Sequence, residues 1–332
     1  MGRVLVTGGA GFIGSHVADG LIARGHEVFV LDNLSGGFRE NVPAAATFVE
    51  GNIADADAVE RLFTRGRFTH VYHLAAYAAE GLSHFIKHFN YTNNVIGSVN
   101  LLNASIRNGV ELFVFASSIA AYGTPAELPL TETSPLHPED SYGIAKYAIE
   151  LELEACRRMF GLDYIIFRPH NVFGPRQNIG DRYRNVIGIF MNQLLQGQPM
   201  TIFGDGTQTR AFSDISDVAP IMAEAIEVAA ARNQAFNIGA DTPYSVNHLT
   251  QAVAVAMGVA PQVVALEPRV EVQHAHSSHD KLRRVFGTRP QTSLDDGLAA
   301  MAAWVRGHGA RQSKPFTGIE ILKNLPASWQ VG

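Results

Sequence analysis

Tyr142 and Lys146 stand four residues apart in a stretch of helical periodicity, which sets both side chains on one face, a turn apart. A free tyrosine titrates near about 10 and is a poor base at neutral pH. A neighbouring ammonium favours the phenolate. Such a pair can take a proton from a substrate hydroxyl while a hydride leaves the same carbon. Ser118, at the end of a predicted strand over Leu112–Ala116, is placed to hydrogen-bond the same oxygen. Tyr-x-x-x-Lys pairs are common on helix surfaces, so this one gains meaning only beside a hydride acceptor.

The N-terminal stretch supplies a place for one. Val4 to Val6 read as a buried parallel strand. A turn with Gly8, Gly9, Gly11 and Gly14 follows, and Phe12 and Ile13 open an apolar periodic segment. In a strand–turn–helix of this kind the backbone can approach a pyrophosphate, which sits on helix N–H groups and the positive end of the helix dipole. The spacing is G-x-x-G-x-x-G, not the G-x-G-x-x-G of most dehydrogenases. A second strand over 28–31 ends in Asp32, whose carboxylate can bind both ribose hydroxyls of NAD and would repel a 2′-phosphate. NAD is the expected cofactor.

The elements that must hold these groups alternate. Strands are predicted over Arg3–Thr7, 27–31, Thr47–Glu50, His70–His73, Leu112–Ala116 and 164–168. Helices are predicted over 12–24, 57–65, 89–108 and 142–160. This is the rhythm of an α/β fold, a Rossmann-like doubly wound parallel sheet whose ligands bind beyond the carboxyl ends of the strands. Those ends carry Gly51-Asn52-Ile53, Leu74-Ala75-Ala76-Tyr77, Ser117-Ser118 and Pro169-His170-Asn171. The small residues at 75 and 76 would let a flat cofactor approach the backbone.

From about Gln177 the rhythm loosens into a smaller mixed α/β part: a helix over 185–196, a strand over Met200–Phe203, a helix capped by Asp217 and running to about Ala231, a strand over 236–238 returning to the sheet, and a helix capped by Ser245 or Asn247. The expected division is an NAD-binding domain over 1–170 and a substrate-binding domain over 171–332, partly interleaved. Trp329, in the last stretch, is expected to pack on the body.

Composition limits the function classes. The 332 residues are 46% hydrophobic and 17% charged, the profile of a globular protein. A net charge of −5 argues against a broad nucleic-acid surface. Cys156, alone of its type, cannot form a disulfide framework or a thiolate metal site and reads as a small buried apolar residue. No run of about eighteen apolar residues could span a bilayer, and the first strand begins at once, so a cytoplasmic protein without a signal peptide is expected. His274, His276 and His279 match no metal-binding spacing and have no fixed acid or thiol nearby, so no metal is expected.

Together, Gly8–Gly14, Asp32-Asn33-Leu34, Ser117-Ser118 ahead of Tyr122-Gly123, Tyr142 with Lys146, and Arg168-Pro169-His170-Asn171 resemble the extended short-chain dehydrogenase/reductase family, and within it the nucleotide-sugar 4-epimerases of the UDP-glucose 4-epimerase type. The resemblance runs from the first residue to about Gly297. It implies a catalytic trio of Ser118, Tyr142 and Lys146, with Lys146 also holding the nicotinamide ribose. It implies a cofactor site of Gly8, Gly11, Phe12, Ile13, Gly14, Asp32, Asn33, Asn52, Ile53, Leu74, Ala75, Ala76 and Asn94. Asn52 stands where the family more often has Asp. For the substrate it implies Tyr77, Asn171, Asn185, Val186, Thr201, Phe203, Arg210 and Phe212. Arg269 and Glu271 lie near a family Arg/Asp pair that is displaced here, and Ala275 falls where the pocket closes beside the sugar's C2 substituent.

The implied reaction removes hydride from C4 of the sugar and the O4 proton to Tyr142, turns the 4-keto sugar within the site, and returns hydride to the opposite face. The implied substrate is a UDP-linked sugar: UDP-glucose and UDP-galactose, with UDP-N-acetylglucosamine admitted by the small Ala275. Related dehydratases and decarboxylases carry acids just after the Ser/Thr position, where this chain has Ile119 and Ala120, which cannot exchange protons. Glu80 is the one acid near the sugar end, either a solvated loop carboxylate or a hydroxyl contact. Helices pairing across a two-fold axis would make a homodimer. Two rival readings stay open: an NAD(P)-dependent reductase or dehydratase of an activated sugar, and a non-catalytic NAD(H)-binding regulator.

Overall fold

A computed structural model describes residues 2–269, 271–312 and 316–329. Seven parallel strands form the central sheet: β1 (Arg3–Thr7), β2 (Glu27–Asp32), β3 (Thr47–Glu50), β4 (His70–His73), β5 (Leu112–Ala116), β6 (Asp163–Pro169) and β7 (Gln234–Ile238). Eight helices matter here: α1 (Phe12–Ala23), α2 (Ala56–Gly66), α3 (Gly97–Arg107), α4 (Ser141–Phe160), α5 (Val186–Leu195), α6 (Ile215–Glu224), α7 (Val246–Met257) and α8 (Leu294–His308).

Successive strand residues point to opposite faces, so apolar strands feed two cores at once. Val4, Val6, Val114 and Phe167 face α1 and α6, through Val17, Leu21, Val218 and Met222. Leu5, Val71, Phe113 and Phe115 face the other way, onto Val59 and Phe63 of α2, Leu101 of α3 and Ile149 of α4. The strand order is β7-β6-β5-β4-β1-β2-β3. It reverses direction between β1 and β4, where a doubly wound sheet opens a crevice at its carboxyl edge. Thr7 pairs with both Leu31 and His73 in register, which brings the turn after β1 between Asp32 and Leu74.

The smaller part packs α5, α7 and α8 around a separate core of Phe190, Met191, Leu249, Leu298 and Met301. Its strands are short: Thr209–Ala211 pairs antiparallel with Pro243–Ser245 and parallel with His274–Ala275, and Met200–Phe203 pairs with Val263–Leu266. Among the described residues, no helix is long and apolar enough to cross a membrane.

Two local expectations are corrected and a third is refined. Asp214, not Asp217, caps α6, accepting from the Ser216 N–H; Asp217 lies inside the first turn and accepts instead from Thr292. That helix stops at Glu224, and short 3₁₀ turns follow. The helix expected over 89–108 runs without a break over 87–107, with a π-turn at Thr92–Ile96 between Lys87–Tyr91 and α3.

Candidate active site

Tyr142 enters the site from the first turn of α4. Asp140 caps that helix, accepting from the Tyr142 and Gly143 N–H groups at 2.9 Å. Ser83 Oγ takes the Tyr142 N–H as well, at 3.1 Å. Lys146, one turn on, donates from Nζ to the Ala116 carbonyl at 2.7 Å, 4.7 Å above the Phe115 ring and 5.7 Å from the centre of the Tyr142 ring. Ser118, just past β5, lies beside the phenol and lowers its pKa, while its Oγ accepts from the Ala120 N–H at 3.1 Å. The trio is thus assembled from α4 and the end of β5.

Burial dominates its electrostatics. It pushes the Tyr142 phenol well above its usual range, with the Glu80 and Asp140 carboxylates adding to this and Ser118 and Arg184 opposing it. It pulls the Lys146 ammonium down to about 7, against the pull of Glu150. The phenol alone therefore stays neutral and the ammonium is only part-populated near neutral pH, so each charged form gains from an opposite charge nearby.

Behind the trio lies a buried network with no local sequence signal. Glu150 of α4 pairs with Arg168 of β6, the Arg168 Nε donating at 3.0 Å, and also accepts from Ser117 Oγ. Arg168 Nη1 reaches the Tyr122 hydroxyl at 2.7 Å, which donates to Asn237 at 2.8 Å. This pair fixes the strand end that presents Ser118.

A cavity of about 950 Å³ opens at the carboxyl edge of the sheet and continues into the smaller part. It is lined by Ser118, Tyr142 and Lys146, and by Gly8, Gly11, Phe12, Ile13, Gly14, Asp32, Asn33, Asn52, Ile53, Leu74, Ala75 and Ala76. At the other end it is lined by Tyr77, Asn171, Asn185, Val186, Thr201, Phe203, Arg210, Phe212, Arg269, Glu271 and Ala275. Of the residues expected from the sequence, Asn94 is the exception. It is buried behind the wall, bonded through its amide to both backbone groups of Tyr77 and to Asn90. Asn93, beside it in the π-turn, lines the cavity in its place.

The dinucleotide turn passes a steric test for NAD. A Cβ on Gly14 would lie 2.2 Å from the Gly8 carbonyl oxygen, and Gly8 has a φ of +73° with Ala75 N 2.6 Å from where its Cβ would be. Only glycine lets the turn, α1 and the end of β4 close together. Gly11 caps α1 without a side chain and no acid lies in the first turn, so the first N–H groups of α1 are left for a phosphate. Asp32 accepts from Ala10 N at 3.0 Å and Leu34 N at 2.8 Å. Burial raises its pKa and these backbone bonds oppose the rise. Asn52 Oδ1 is taken by the Ala54 N–H at 2.9 Å, so this residue meets a ligand mainly as a donor.

In the smaller part, Arg210 is held by the backbone carbonyls of Thr209, Val272 and Gln273. Arg269 stacks over Phe203 at 4.4 Å and bonds Glu271 at 3.0 Å. Asn171 (φ 41°) and Asn185 (φ 65°) hold left-handed backbone at the cavity wall, a conformation asparagine tolerates. Strand pairing settles which of residues 274–276 faces inward. Ala275 lines the cavity opposite Arg210, whereas the His274 side chain bonds Thr209 on the exposed side. Glu80 opens into the cavity. The protein crowds around its carboxyl and, with Asp140, raises its pKa to about 7 against the pull of Arg210 and Arg269. Gln193, Arg182, Tyr183 and Arg184 also line the cavity and carry no motif that sequence reading could catch. Among the described residues, no group of three or more His, Cys, Asp or Glu could hold a metal. His279 instead bonds Asp241 at 2.6 Å and His170 at 3.1 Å.

A glycine turn on a doubly wound sheet, a carboxylate closing β2 and a Ser/Tyr/Lys trio at one cavity define a dinucleotide-dependent enzyme of the extended short-chain dehydrogenase/reductase class. The chain belongs to the NAD dependent epimerase/dehydratase family, whose model matches residues 4–239. It is 36% identical over 311 residues to a UDP-glucose 4-epimerase of Mycolicibacterium smegmatis, covering 92% of this chain and 98% of the relative. It is similar to the solved UDP-glucose 4-epimerase of Thermotoga maritima with UDP-glucose (39% identity, TM-score 0.88, 92% of this chain and 99% of that one). It is also similar to that of Thermus thermophilus in complex with NAD (37% identity, TM-score 0.86, 92% and 99%).

Proposed function

We propose that the chain is an NAD-dependent 4-epimerase of UDP-hexoses, UDP-glucose and UDP-galactose first among them. The observation that carries this is a single cavity shared by the Ser118/Tyr142/Lys146 trio, the dinucleotide turn and the Arg210/Phe203 end, with Ile119 and Ala120 where a dehydratase or decarboxylase would need an acid.

NAD, when bound, supplies a hydride acceptor at C4 that becomes the donor for the return step. Gly8, Gly11, Gly14 and the start of α1 would hold its pyrophosphate, Asp32 a ribose, and Lys146 the nicotinamide ribose. Tyr142 takes the O4 proton as the carbonyl forms and gives it back in the second half. Ser118 donates to the same oxygen and orients it. Arg210 and Arg269 neutralise the diphosphate, which stays anchored while the sugar turns. Thr201, Phe203 and Phe212 flank the base. Glu80 accepts from a sugar hydroxyl near C4.

Ala275 leaves room beside C2 for an acetamido group, so UDP-N-acetylglucosamine is accepted alongside UDP-glucose. Residues 1–170 serve the cofactor and 171–332 the substrate, with β7 and α6 lent back to the first. A homodimer is supported by apolar side chains exposed along α4: Ile144 (42%), Leu151 (48%) and Met159 (73%). The cytoplasm fits a chain whose one cysteine, Cys156, is buried and builds no disulfide framework.

The test is the product of the purified protein with UDP-glucose, UDP-N-acetylglucosamine and UDP-glucuronate, resolved by NMR without added NAD. Galacto-configured product from the first two supports the proposal. Conversion only with added NADPH, or to a 6-deoxy-4-keto product, overturns it.

A further inference from the structure

The family match stops at residue 239, and the relatives leave part of this chain unaccounted for. They are matched over 98–99% of their own length yet cover 92% of this chain, so it holds a stretch they lack. The segment after His308 is of that size, and within it residues 316–329 pack on two lining segments of the cavity.

One of these is the loop over 175–185, which lies across the dinucleotide turn. His16 Nε2 meets the Pro175 carbonyl at 3.0 Å, Arg176 pairs with Asp19 at 2.6 Å, and Asn178 donates to the Gly36 carbonyl at 3.3 Å. Asn41 donates to both the Ala10 and the Arg176 carbonyl, tying the loop to the turn itself. These bonds hold the loop against the start of α1 and the turn after β1, where the pyrophosphate would sit.

The late segment holds the loop from outside. The Phe316 N–H donates to the Tyr183 hydroxyl at 2.9 Å, Arg182 donates to the Ser328 carbonyl at 2.7 Å, and Trp329 stands edge-on to Tyr183 at 5.4 Å. Its other flank grips the stretch that follows β4. Glu320 accepts the His88 and Phe89 N–H groups at 2.8 and 2.9 Å, Phe316 packs on Phe89 at 5.0 Å and Tyr77 at 5.5 Å, and Trp329 meets Phe85 at 6.3 Å. Trp329 is 4% exposed, and with Ser328 it lines the cavity.

We propose that residues 316–329 form a strap that clasps the 175–185 loop to the stretch after β4, completes the cavity wall, and so keeps NAD resident between turnovers. The proposal rests on the NAD-dependent reading of the site. An epimerase regenerates its cofactor each cycle and gains from never releasing it. Opening the loop must break the Tyr183 and Arg182 bonds and part the Phe316 and Trp329 ring contacts.

The test is the full-length double variant Phe316→Ala/Glu320→Ala, since neither residue lines the cavity. NAD content of the purified protein and the NAD dissociation rate are measured beside the wild type. Tryptophan fluorescence in a Trp304→Phe background, which leaves Trp329 as the one emitter, reports whether the strap has lifted. With the strap lifted, NAD should leave at least about tenfold faster, corresponding to the loss of about 1.4 kcal/mol of closure, and activity should return at saturating NAD. An unchanged dissociation rate with the strap lifted overturns the proposal. If the double variant does not fold, Glu320→Gln alone, expected to speed release about two- to threefold, carries the same comparison. Failure of the wild type to bind NAD at all would count against the reading of the site, a result distinct from unchanged retention.

Discussion

Replacing Glu150 with Gln tests how the trio is supported. The change keeps volume and a hydrogen-bond acceptor for Ser117 but leaves the Arg168 guanidinium without its counter-charge. Both partners are almost fully buried, with side chains 4% and 5% exposed. Breaking such a pair from one side costs about 3–5 kcal/mol, because the remaining charge stays desolvated. Unfolding entropy of about 2.1 cal/mol/K per residue gives about 0.7 kcal/mol/K for 332 residues, so Tm should fall by about 4–7 °C in differential scanning calorimetry. A second effect is catalytic. Glu150 is the anion that opposes the burial-driven fall of Lys146, which sits at about 7. Without it the ammonium is less favoured and the pKa drops further. The decline of kcat/KM with rising pH, where Lys146 loses its proton, should then begin at lower pH than in the wild type. The double variant Glu150→Leu/Arg168→Met should recover most of the stability yet keep the shifted profile. A Tm within about 1 °C of wild type, or a limb that moves upward, would refute the reasoning.

Three further outcomes are expected. Tyr142→Phe should lower kcat by at least about 10²-fold in a coupled epimerase assay while NAD stays bound, since the ring still packs; near-full activity would remove Tyr142 from the mechanism. Gly14→Ala places a methyl 2.2 Å from the Gly8 carbonyl and should weaken NAD binding by at least about tenfold in calorimetry. Ala275→Tyr should abolish turnover of UDP-N-acetylglucosamine while sparing UDP-glucose; equal loss of both would show that residue 275 does not border C2.

Strands β1 to β6 and the glycine turn were legible because a fully buried parallel strand is an unbroken apolar run, and a turn that close-packs backbone needs glycine. The trio was legible because helical spacing and strand ends are local facts. Three features were not. Asn93 rather than Asn94 lines the cavity, and both lie in a π-turn that no propensity signals. Asp214 and Asp217 both suit a cap, and only the pairing of Asp217 with Thr292 decides between them. The Glu150–Arg168 pair and the packing of Phe316, Leu325 and Trp329 join elements distant in sequence, where periodicity is silent.

In the proposed reaction hydride leaves C4 and returns to the same carbon within one closed site, while Tyr142 carries only the O4 proton. The direct measurement is mass spectrometry and NMR of the product from UDP-glucose deuterated at C4, in ordinary water with no added cofactor. UDP-galactose should form with the deuterium fully retained at C4. Deuterium lost to solvent would mean that C4 is deprotonated rather than oxidised, and would contradict the account.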